Sequence, residues 1–284
     1  MKKDNIEILN DTLRVLKQGS YEVNGKTVTL RLPKERMAAA HVLLPDDVQN
    51  ICGNDLVTST VEEKCKISCV KEDSYAAAVR MMKDRVTDEG TSKPVLVLNF
   101  ANPVNIGGGV YKGAKAQEED LCRRSSLLCS LESDQAFPYY SYNRKLRTYM
   151  GSDAMIFSPE VEVFRDEDGE LMEETAIVAV LTCAAPMISD GLEGMSESEY
   201  RDMFYNRIVG VLKCAASYGY TDLVLGAWGC GAFANDAAVV SDLFHGALME
   251  LPIDAFREIV FAVRSKHGES YNYREFYRNF GKTV

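Results

Sequence analysis

The chain has 284 residues, of which 46% are hydrophobic and 26% charged, an ordinary composition for a globular protein with a substantial core. Its net charge is −10, so most of its surface repels nucleic acid and a general DNA or RNA binder is not expected. An anionic ligand would have to be held by backbone N–H groups and helix ends, which supply a local positive potential.

The first 93 residues carry a mixed pattern of helix and strand. Apolar residues recur at spacings of three and four over Asn5–Gln18, which predicts an amphipathic helix that Gly19 ends. Alternating apolar residues predict a half-buried strand over residues 26–32, and residues 67–70 are a second strand candidate. Residues 76–82 are predicted to be helical.

From residue 94 onward, apolar runs alternate with helical patterns. Strands buried on both faces are predicted at residues 95–98, 176–182, 223–227 and 259–263. Helices are predicted at residues 117–131, 198–216, 236–249 and 273–280. A charged turn at residues 166–170 is predicted to be the tip of a hairpin. The alternation predicts an α/β layered fold with a mixed or parallel sheet.

No internal repeat, low-complexity tract or interdomain linker divides the chain. The simplest interpretation is one compact unit, in which residues 1–93 are a mostly helical extension packed on a core of residues 94–284. The eight cysteines include no Cys-x-x-Cys pair and the three histidines lie far apart, so a metal site is not expected. With no signal peptide at the start, the cysteines are interpreted as reduced thiols in a cytoplasm. The apolar runs are too short to span a bilayer.

The first candidate site follows the strand predicted at residues 95–98. In chain order it carries Asn102, the triplet Gly107, Gly108 and Gly109, and then Gln117, Glu118 and Glu119 at the start of a predicted helix. A glycine triplet allows positive φ and close backbone approach to a ligand, although by itself it is more often a flexible turn. Its place after a strand favours function, because ligands in open α/β sheets bind at the carboxyl ends of strands.

Glu118 and Glu119 have two alternative interpretations. Acidic residues favour the first turn of a helix, where they complement its dipole. A carboxyl sheltered beside a bound diphosphate would instead have a raised pKa and could give a proton to a leaving oxygen, as glycosidic bond cleavage requires. The helix N-terminus lowers the pKa of a nearby carboxyl group, so the sequence leaves open whether the pKa values of Glu118 and Glu119 are raised or lowered overall.

The second candidate site links the strand predicted at residues 223–227 to the helix that follows. It contains Gly229, Cys230, Gly231, Ala232 and Phe233, a glycine-rich cradle for phosphate with a helix N-terminus behind it. Asn235 or Asp236 is expected to cap that helix. Trp228 is as easily a core aromatic residue as a ligand contact. Cys230 is interpreted as a small residue in a tight loop rather than a nucleophile, because no base accompanies it.

Together these motifs resemble the poly(ADP-ribose) glycohydrolases. A glycine triplet, seven residues and then Gln-Glu-Glu is similar to the signature of that family, as are the Asn-Phe-Ala-Asn stretch before it and the Gly-Cys-Gly-Ala-Phe loop. Asp11-Thr12-Leu13, followed by Gly19-Ser20-Tyr21, resembles the N-terminal extension of its bacterial-type branch. The resemblance implies a macrodomain-like three-layer α/β/α sandwich with a central mixed sheet.

The resemblance also implies roles for individual residues. The two glycine loops would grip the diphosphate of ADP-ribose, Phe233 would fix the ribose, and Glu118 and Asn102 would contact the hydroxyls of the scissile ribose. Glu119 would protonate the departing 2′-oxygen and then activate water, with no metal or cofactor. The tyrosine that covers the substrate in larger animal enzymes has no match here, which leaves cleavage at chain ends or inside chains open, with ends favoured.

Three rival functions are weighed against this one. A macrodomain that only binds ADP-ribose would have no need of Glu119. A hydrolase of mono-ADP-ribose linkages on protein or nucleic acid would share both phosphate loops. A dinucleotide-dependent oxidoreductase fits poorly, because the glycine spacing is not Gly-x-Gly-x-x-Gly in a tight strand–turn–helix. The physiological target, the residues that contact adenine and the oligomeric state are not predicted.

Overall fold

A computed structural model describes residues 4–54, 65–84, 95–251, 255–265 and 268–281. Its strands are β1 (Ser20–Val23), β2 (Lys26–Thr29), β3 (His41–Leu43), β4 (Lys66–Val70), β5 (Leu96–Phe100), β6 (Met155–Arg165), β7 (Leu171–Cys183), β8 (Asp222–Leu225) and β9 (Glu258–Ala262). Its α-helices are α1 (Asn5–Gln18), α2 (Lys34–Met37), α3 (Pro45–Gly53), α4 (Ser74–Lys83), α5 (Gln117–Arg124), α6 (Leu127–Leu131), α7 (Phe137–Leu146), α8 (Glu197–Ser217), α9 (Ala237–Glu250) and α10 (Tyr271–Phe280).

A central mixed sheet of the described strands has the order β3-β6-β7-β5-β8-β9-β4. The β3–β6 and β6–β7 pairs are antiparallel, and the other neighbours are parallel. Side chains alternate between two cores along β5, with Leu96 and Leu98 in one and Val97 in the other, together with Val95 just before the strand. Helices α3, α8, α9 and α10 cover the first face, and α4 to α7 cover the second, which confirms the three-layer α/β/α prediction.

The N-terminal extension is joined to the same sheet. The strand predicted at residues 26–32 ends at Thr29 and pairs with β1 in a separate two-stranded sheet. The buried Glu162 carboxylate accepts hydrogen bonds from the N–H groups of Arg31 and Leu32, and the buried Arg165 guanidinium donates to Thr12. Strands β3 and β4, which form the two edges of the central sheet, also come from the first 93 residues. A boundary at residue 94 stays a prediction.

One predicted helix is wrong in its extent. The helix predicted over residues 117–131 is two helices, α5 and α6, because Ser125 takes an extended conformation and bridges to Val163 of β6. The Ser125 hydroxyl is hydrogen-bonded to Tyr75, 2.9 Å away, and donates to the carbonyl of Leu121. The hairpin tip predicted at residues 166–170 is confirmed between β6 and β7.

Candidate active site

Gln117 fixes the start of α5 to the carboxyl end of β5. Its side-chain oxygen accepts from the N–H of Phe100 at 2.9 Å, and its amide nitrogen donates to the Leu98 carbonyl at 2.8 Å and to the Ser74 hydroxyl at 3.1 Å. These bonds occupy the whole side chain. Gln117 therefore positions the two glutamates that follow it, and a direct role in ligand binding stays a prediction.

The glycine triplet packs directly against both carboxyl groups. Gly107 and Gly108 have positive φ of 63° and 61°, which favours glycine. A Cβ on Gly108 would lie 2.5 Å from Glu119 Oε1 and 2.9 Å from Glu118 Oε2. The sequence analysis expected a diphosphate beside these glycines, whereas the two carboxyl groups occupy the space next to Gly108.

Glu118 is buried, with 2% of its surface exposed, and its two oxygens have different partners. Oε2 accepts from the N–H of Asn102 at 2.7 Å, and Oε1 lies 3.4 Å from the amide nitrogen of Asn99. Burial, together with the nearby Glu119, raises the pKa of Glu118 to about 8, although the Asn102 and Asn99 hydrogen bonds oppose the rise. Glu118 is therefore mainly protonated at neutral pH.

Glu119 is held by one oxygen only. Oε1 accepts from the N–H of Gly109 at 2.8 Å, and the side chain is 7% exposed. Oε2 is buried and makes no hydrogen bond within the described part of the chain. Buried polar groups are almost always hydrogen-bonded, so this unpaired carboxyl oxygen marks Glu119 as a candidate functional group.

Asn102 organises the loop between β5 and the glycine triplet. Its side-chain oxygen accepts from the N–H groups of Val104 at 3.0 Å and Asn105 at 2.8 Å. The amide nitrogen has no hydrogen bond to the described residues. The predicted contact with ribose hydroxyls would therefore be made through that nitrogen, which is a donor.

The second loop is held in shape by Asn235. Its amide nitrogen donates to the carbonyls of Pro186 and Gly229, at 2.8 and 2.9 Å, and its oxygen accepts from the Tyr200 hydroxyl at 2.7 Å. Asp236, not Asn235, caps α9 by accepting from the N–H of Ala238. Hydrogen bonds within the protein therefore hold this loop in its conformation.

This loop presents free backbone donors. The N–H groups of Gly231, Ala232 and Phe233 make no hydrogen bond to any residue that the structure describes. A Cβ on Gly229 would lie 2.6 Å from the Ala185 Cβ, whereas one on Gly231 would meet nothing within 4 Å. Consecutive free N–H groups suit the oxygens of a diphosphate.

Trp228 and Cys230 face the protein interior. Trp228 is fully buried, its ring nitrogen donates to the Cys183 carbonyl, and it packs edge-on against Phe204. The Cys230 thiol contacts the Trp228 carbonyl at 3.6 Å, and burial raises the pKa of that thiol. The alternative that makes Trp228 a core residue is therefore confirmed, and Cys230 is not an activated nucleophile.

Three adjoining cavities surround these residues. The strand-end cavity has a volume of about 290 Å³ and is lined by Phe100, Gln117, Gly229, Gly231, Ala232 and Phe233 among others. The glycine-loop cavity, of about 620 Å³, is lined by residues that include Asn102, Gly108, Gly109, Tyr111, Lys112 and Arg144. The α7 cavity, of about 480 Å³, includes Asn102, Asn105, Arg144, Arg147, Tyr149 and Phe233. Asn102 and Phe233 join the cavities into one cleft.

The sequence interpretation missed the wall of this cleft that α7 forms. The sequence analysis predicts no helix or strand between residues 131 and 165. It therefore does not name Arg144, Arg147 or Tyr149 as site residues. The available signal for a packed helix was the spacing of Tyr139, Tyr140 and Asn143, which lie on one helical face and are all buried.

The described residues contain neither a cluster of metal ligands nor a membrane-spanning helix. Within the described ranges, no three His, Cys, Asp or Glu side chains come together as a metal site. Nor does any helix among those residues have the length and apolar character needed to cross a membrane.

Comparison with known proteins identifies the family. The family model described as microbial-type PARG, catalytic domain, matches residues 10–166. The poly(ADP-ribose) glycohydrolase of Thermomonospora curvata is 32% identical, with a TM-score of 0.89 over 97% of this chain and 99% of that one. A structure of the Thermomonospora curvata enzyme bound to the inhibitor ADP-HPD superposes with a TM-score of 0.85 over the same shares of the two chains, again at 32% identity.

A second relative gives the same result. The Deinococcus radiodurans poly(ADP-ribose) glycohydrolase in complex with ADP-ribose is 33% identical, with a TM-score of 0.77 over 88% of this chain and 98% of that one. No curated protein matches the chain significantly. The family model covers more than half of the chain and the structural matches cover nearly all of it, so the chain belongs to the microbial-type poly(ADP-ribose) glycohydrolases, a family of glycosidases.

Proposed function

We propose that this protein hydrolyses the ribose–ribose glycosidic bonds of poly(ADP-ribose), with Glu119 as both acid and base. The observation that carries the proposal is the buried Oε2 of Glu119, which has no hydrogen bond to the described residues and lies beside the glycine loop. Oε1 is fixed by the N–H of Gly109. One oxygen is thus anchored and the other is free to exchange a proton with substrate.

A single carboxyl group, that of Glu119, then carries out both proton transfers of the reaction. Protonated Glu119 gives its proton from Oε2 to the departing 2′-oxygen, and the bond between that oxygen and C1″ of the scissile ribose breaks. The ribose becomes oxocarbenium-like, and its own diphosphate stabilises the positive charge. The ionised Glu119 takes a proton from water as the water oxygen bonds to C1″, which returns the acid and completes the hydrolysis.

Glu118 supports this step as a neutral group. With a pKa of about 8 it is mainly protonated at pH 7, so it adds little negative charge beside Glu119. Rotation of the Asn99 amide would turn its buried oxygen, which has no partner among the described residues, toward Glu118 Oε1. A protonated Glu118 can then donate its hydrogen bond to the Asn99 side-chain oxygen or to a ribose hydroxyl.

The strand-end cavity is the site we assign to the released ADP-ribose unit. Its lining includes Gly231, Ala232 and Phe233, whose free N–H groups suit a diphosphate. The N-terminus of α9 lies behind this loop and adds to the local positive potential. Gly108 and Gly109 line the adjoining glycine-loop cavity, and the N–H of Gly109 also fixes Glu119.

Cleavage from chain ends is part of the proposal, since the resemblance is to the bacterial-type branch. Hydrolysis of long polymer should release ADP-ribose from the earliest times without intermediate oligomers, when products are separated by chromatography. Early accumulation of oligomers would show cleavage inside chains. Release of ADP-ribose only from a mono-modified protein would instead favour a hydrolase of mono-ADP-ribose linkages.

We also propose a reducing, cytoplasmic location and no general nucleic-acid binding. All eight cysteines are free, and each is buried or half-buried, which suits a compartment without disulfide formation. The net charge of −10 opposes binding to DNA or RNA over most of the surface. Fractionation of cells and a gel-shift assay with duplex and single-stranded nucleic acid test the two statements.

A further inference from the structure

The cleft extends beyond the strand-end cavity, on the other side of Asn102. The glycine-loop and α7 cavities both include Asn102 and Arg144, and Phe233 joins the α7 cavity to the strand-end cavity. Glu119 contacts Gly109 at the edge of the glycine-loop cavity. A substrate therefore has room in this cleft beyond the strand-end cavity.

The charges on this far side are mainly positive. Arg144 and Arg147 are the charged residues of the α7 cavity lining, and Lys112 joins the lining of the glycine-loop cavity. Glu132 is the one acid in these two linings, and it accepts a hydrogen bond from the Tyr111 hydroxyl. Glu193 lies outside the linings and accepts from the Thr148 hydroxyl and the N–H of Tyr149. Neither arginine forms an ion pair with any described residue. In a chain with a net charge of −10, this local group of cations favours an anion.

Arg147 holds an unusual backbone position. It ends α7 with φ of 51°, in the left-handed region where glycine is normally found. Its side chain is exposed and makes no hydrogen bond within the described part of the chain. No described contact offsets the strain, so the protein itself gives no reason for an arginine at this position.

Tyr149 adds a flat aromatic surface on a fixed backbone. Its side chain is 52% exposed and lines the α7 cavity. Its N–H donates to the Glu193 carboxylate at 3.1 Å, and its carbonyl accepts from the N–H of Met187 at 2.9 Å. An exposed ring on a fixed backbone is suited to stacking against a nucleobase.

We propose that the α7 cavity is a subsite for the leaving ADP-ribose unit, the one whose 2′-oxygen departs. This inference rests on the proposed function. The departing oxygen belongs to an adenosine ribose, so the adenine and diphosphate of that unit must lie close to Glu119 and outside the strand-end cavity. Tyr149 stacks on the adenine, and Arg144 and Arg147 bind the diphosphate.

The variant Arg147→Gly tests the charge without endangering the fold, because glycine fits φ of 51°. Its matched control is Lys145→Ala, which removes an exposed cation of the same helix that lies outside the linings of both far-side cavities. Arg147→Gly should raise KM for poly(ADP-ribose) about three- to tenfold and leave Kd for ADP-ribose within twofold, whereas Lys145→Ala should change neither. The dependence of log KM on log salt should also become shallower in Arg147→Gly.

The aromatic contact is tested by a pair of variants at one position. Tyr149→Phe keeps the ring and should keep KM for polymer, whereas Tyr149→Leu should raise it about three- to tenfold with unchanged Kd for ADP-ribose. Unchanged KM in both Arg147→Gly and Tyr149→Leu, or an equal loss of ADP-ribose affinity, would overturn the subsite. A wild-type protein that leaves polymer uncut would contradict the proposed function instead.

Discussion

Glu118 and Glu119 are neighbours in sequence whose carboxyl groups have different surroundings. Glu118 has both oxygens near amide nitrogens and is buried, which raises its pKa to about 8. Glu119 has one oxygen on Gly109 and the other free of the described residues. This difference supports our proposal that Glu119, rather than Glu118, carries out the proton transfer that the resemblance implies.

The raised pKa of Glu118 predicts a dependence of stability on pH. The unfolded chain ionises Glu118 near its ordinary pKa of 4.5, whereas the folded chain keeps the proton up to about pH 8. The contribution of Glu118 to the free energy of unfolding is therefore greatest below about pH 4.5. It falls as pH rises to about 8, by an amount on the order of a few kcal/mol. Thermal unfolding of wild type and Glu118→Gln should show the variant gaining stability relative to wild type between pH 5 and 8. A constant difference would contradict the assignment.

Gly108 is required by the carboxyl groups beside it. Gly108→Ala places a Cβ 2.5 Å from Glu119 Oε1 and 2.9 Å from Glu118 Oε2, so both carboxyl groups must move. We expect kcat to fall at least tenfold, since misplacement of a catalytic group by about 1 Å can cost roughly 10²-fold. Gly53→Ala is the matched control, because its Cβ meets nothing within 4 Å and Gly53 lies in α3, outside the cavity linings. Equal activity of the two variants would contradict this account.

The loop before α9 carries the free N–H groups that we propose bind the diphosphate, and Asn235 determines the shape of this loop. Asn235→Ala leaves the Gly229 and Pro186 carbonyls and the Tyr200 hydroxyl without their partner, at a cost of about 2–3 kcal/mol. Calorimetry should show weaker ADP-ribose binding as well as a lower Tm. Asp236→Ala removes only the adjacent helix cap and a contact to Tyr271, so it should lower Tm and leave affinity unchanged.

Element identity was predicted better than element ends. The buried strands and the loops that follow them were predictable because continuous apolar runs and glycines mark them. The break between α5 and α6 was not, since Ser125 leaves the helix to bond with Tyr75 and β6, which lie far away in sequence. The same holds for Gln117, whose three partners become neighbours only in the folded chain.

At the scale of the whole molecule, the cleft belongs to several distant segments. The glycine loops were visible in the sequence, because their function requires particular residues at fixed spacing. The α7 wall was not, since Arg144 reaches the cleft by donating to the Val104 carbonyl, a contact 40 residues apart. The glycine patterns and the resemblance therefore predicted the candidate acid and phosphate loops, and they missed the wall of the α7 cavity.

The proposed mechanism needs no metal, which gives a prediction for the intact enzyme. Release of ADP-ribose should be unchanged after treatment with EDTA, because proton transfer by Glu119 and the free N–H groups supply the chemistry. Loss of activity that added divalent metal restores would contradict that mechanism.

The most direct test of the account is turnover of poly(ADP-ribose) by wild type and Glu119→Gln, with ADP-ribose affinity measured on both. Wild type should release ADP-ribose. The variant should lose roughly 10²–10⁴-fold or more of this turnover while its Kd for ADP-ribose stays within about tenfold, since the substitution removes a proton donor and leaves the phosphate loop intact. Turnover that survives in Glu119→Gln, with ADP-ribose affinity lost, would contradict the central claim.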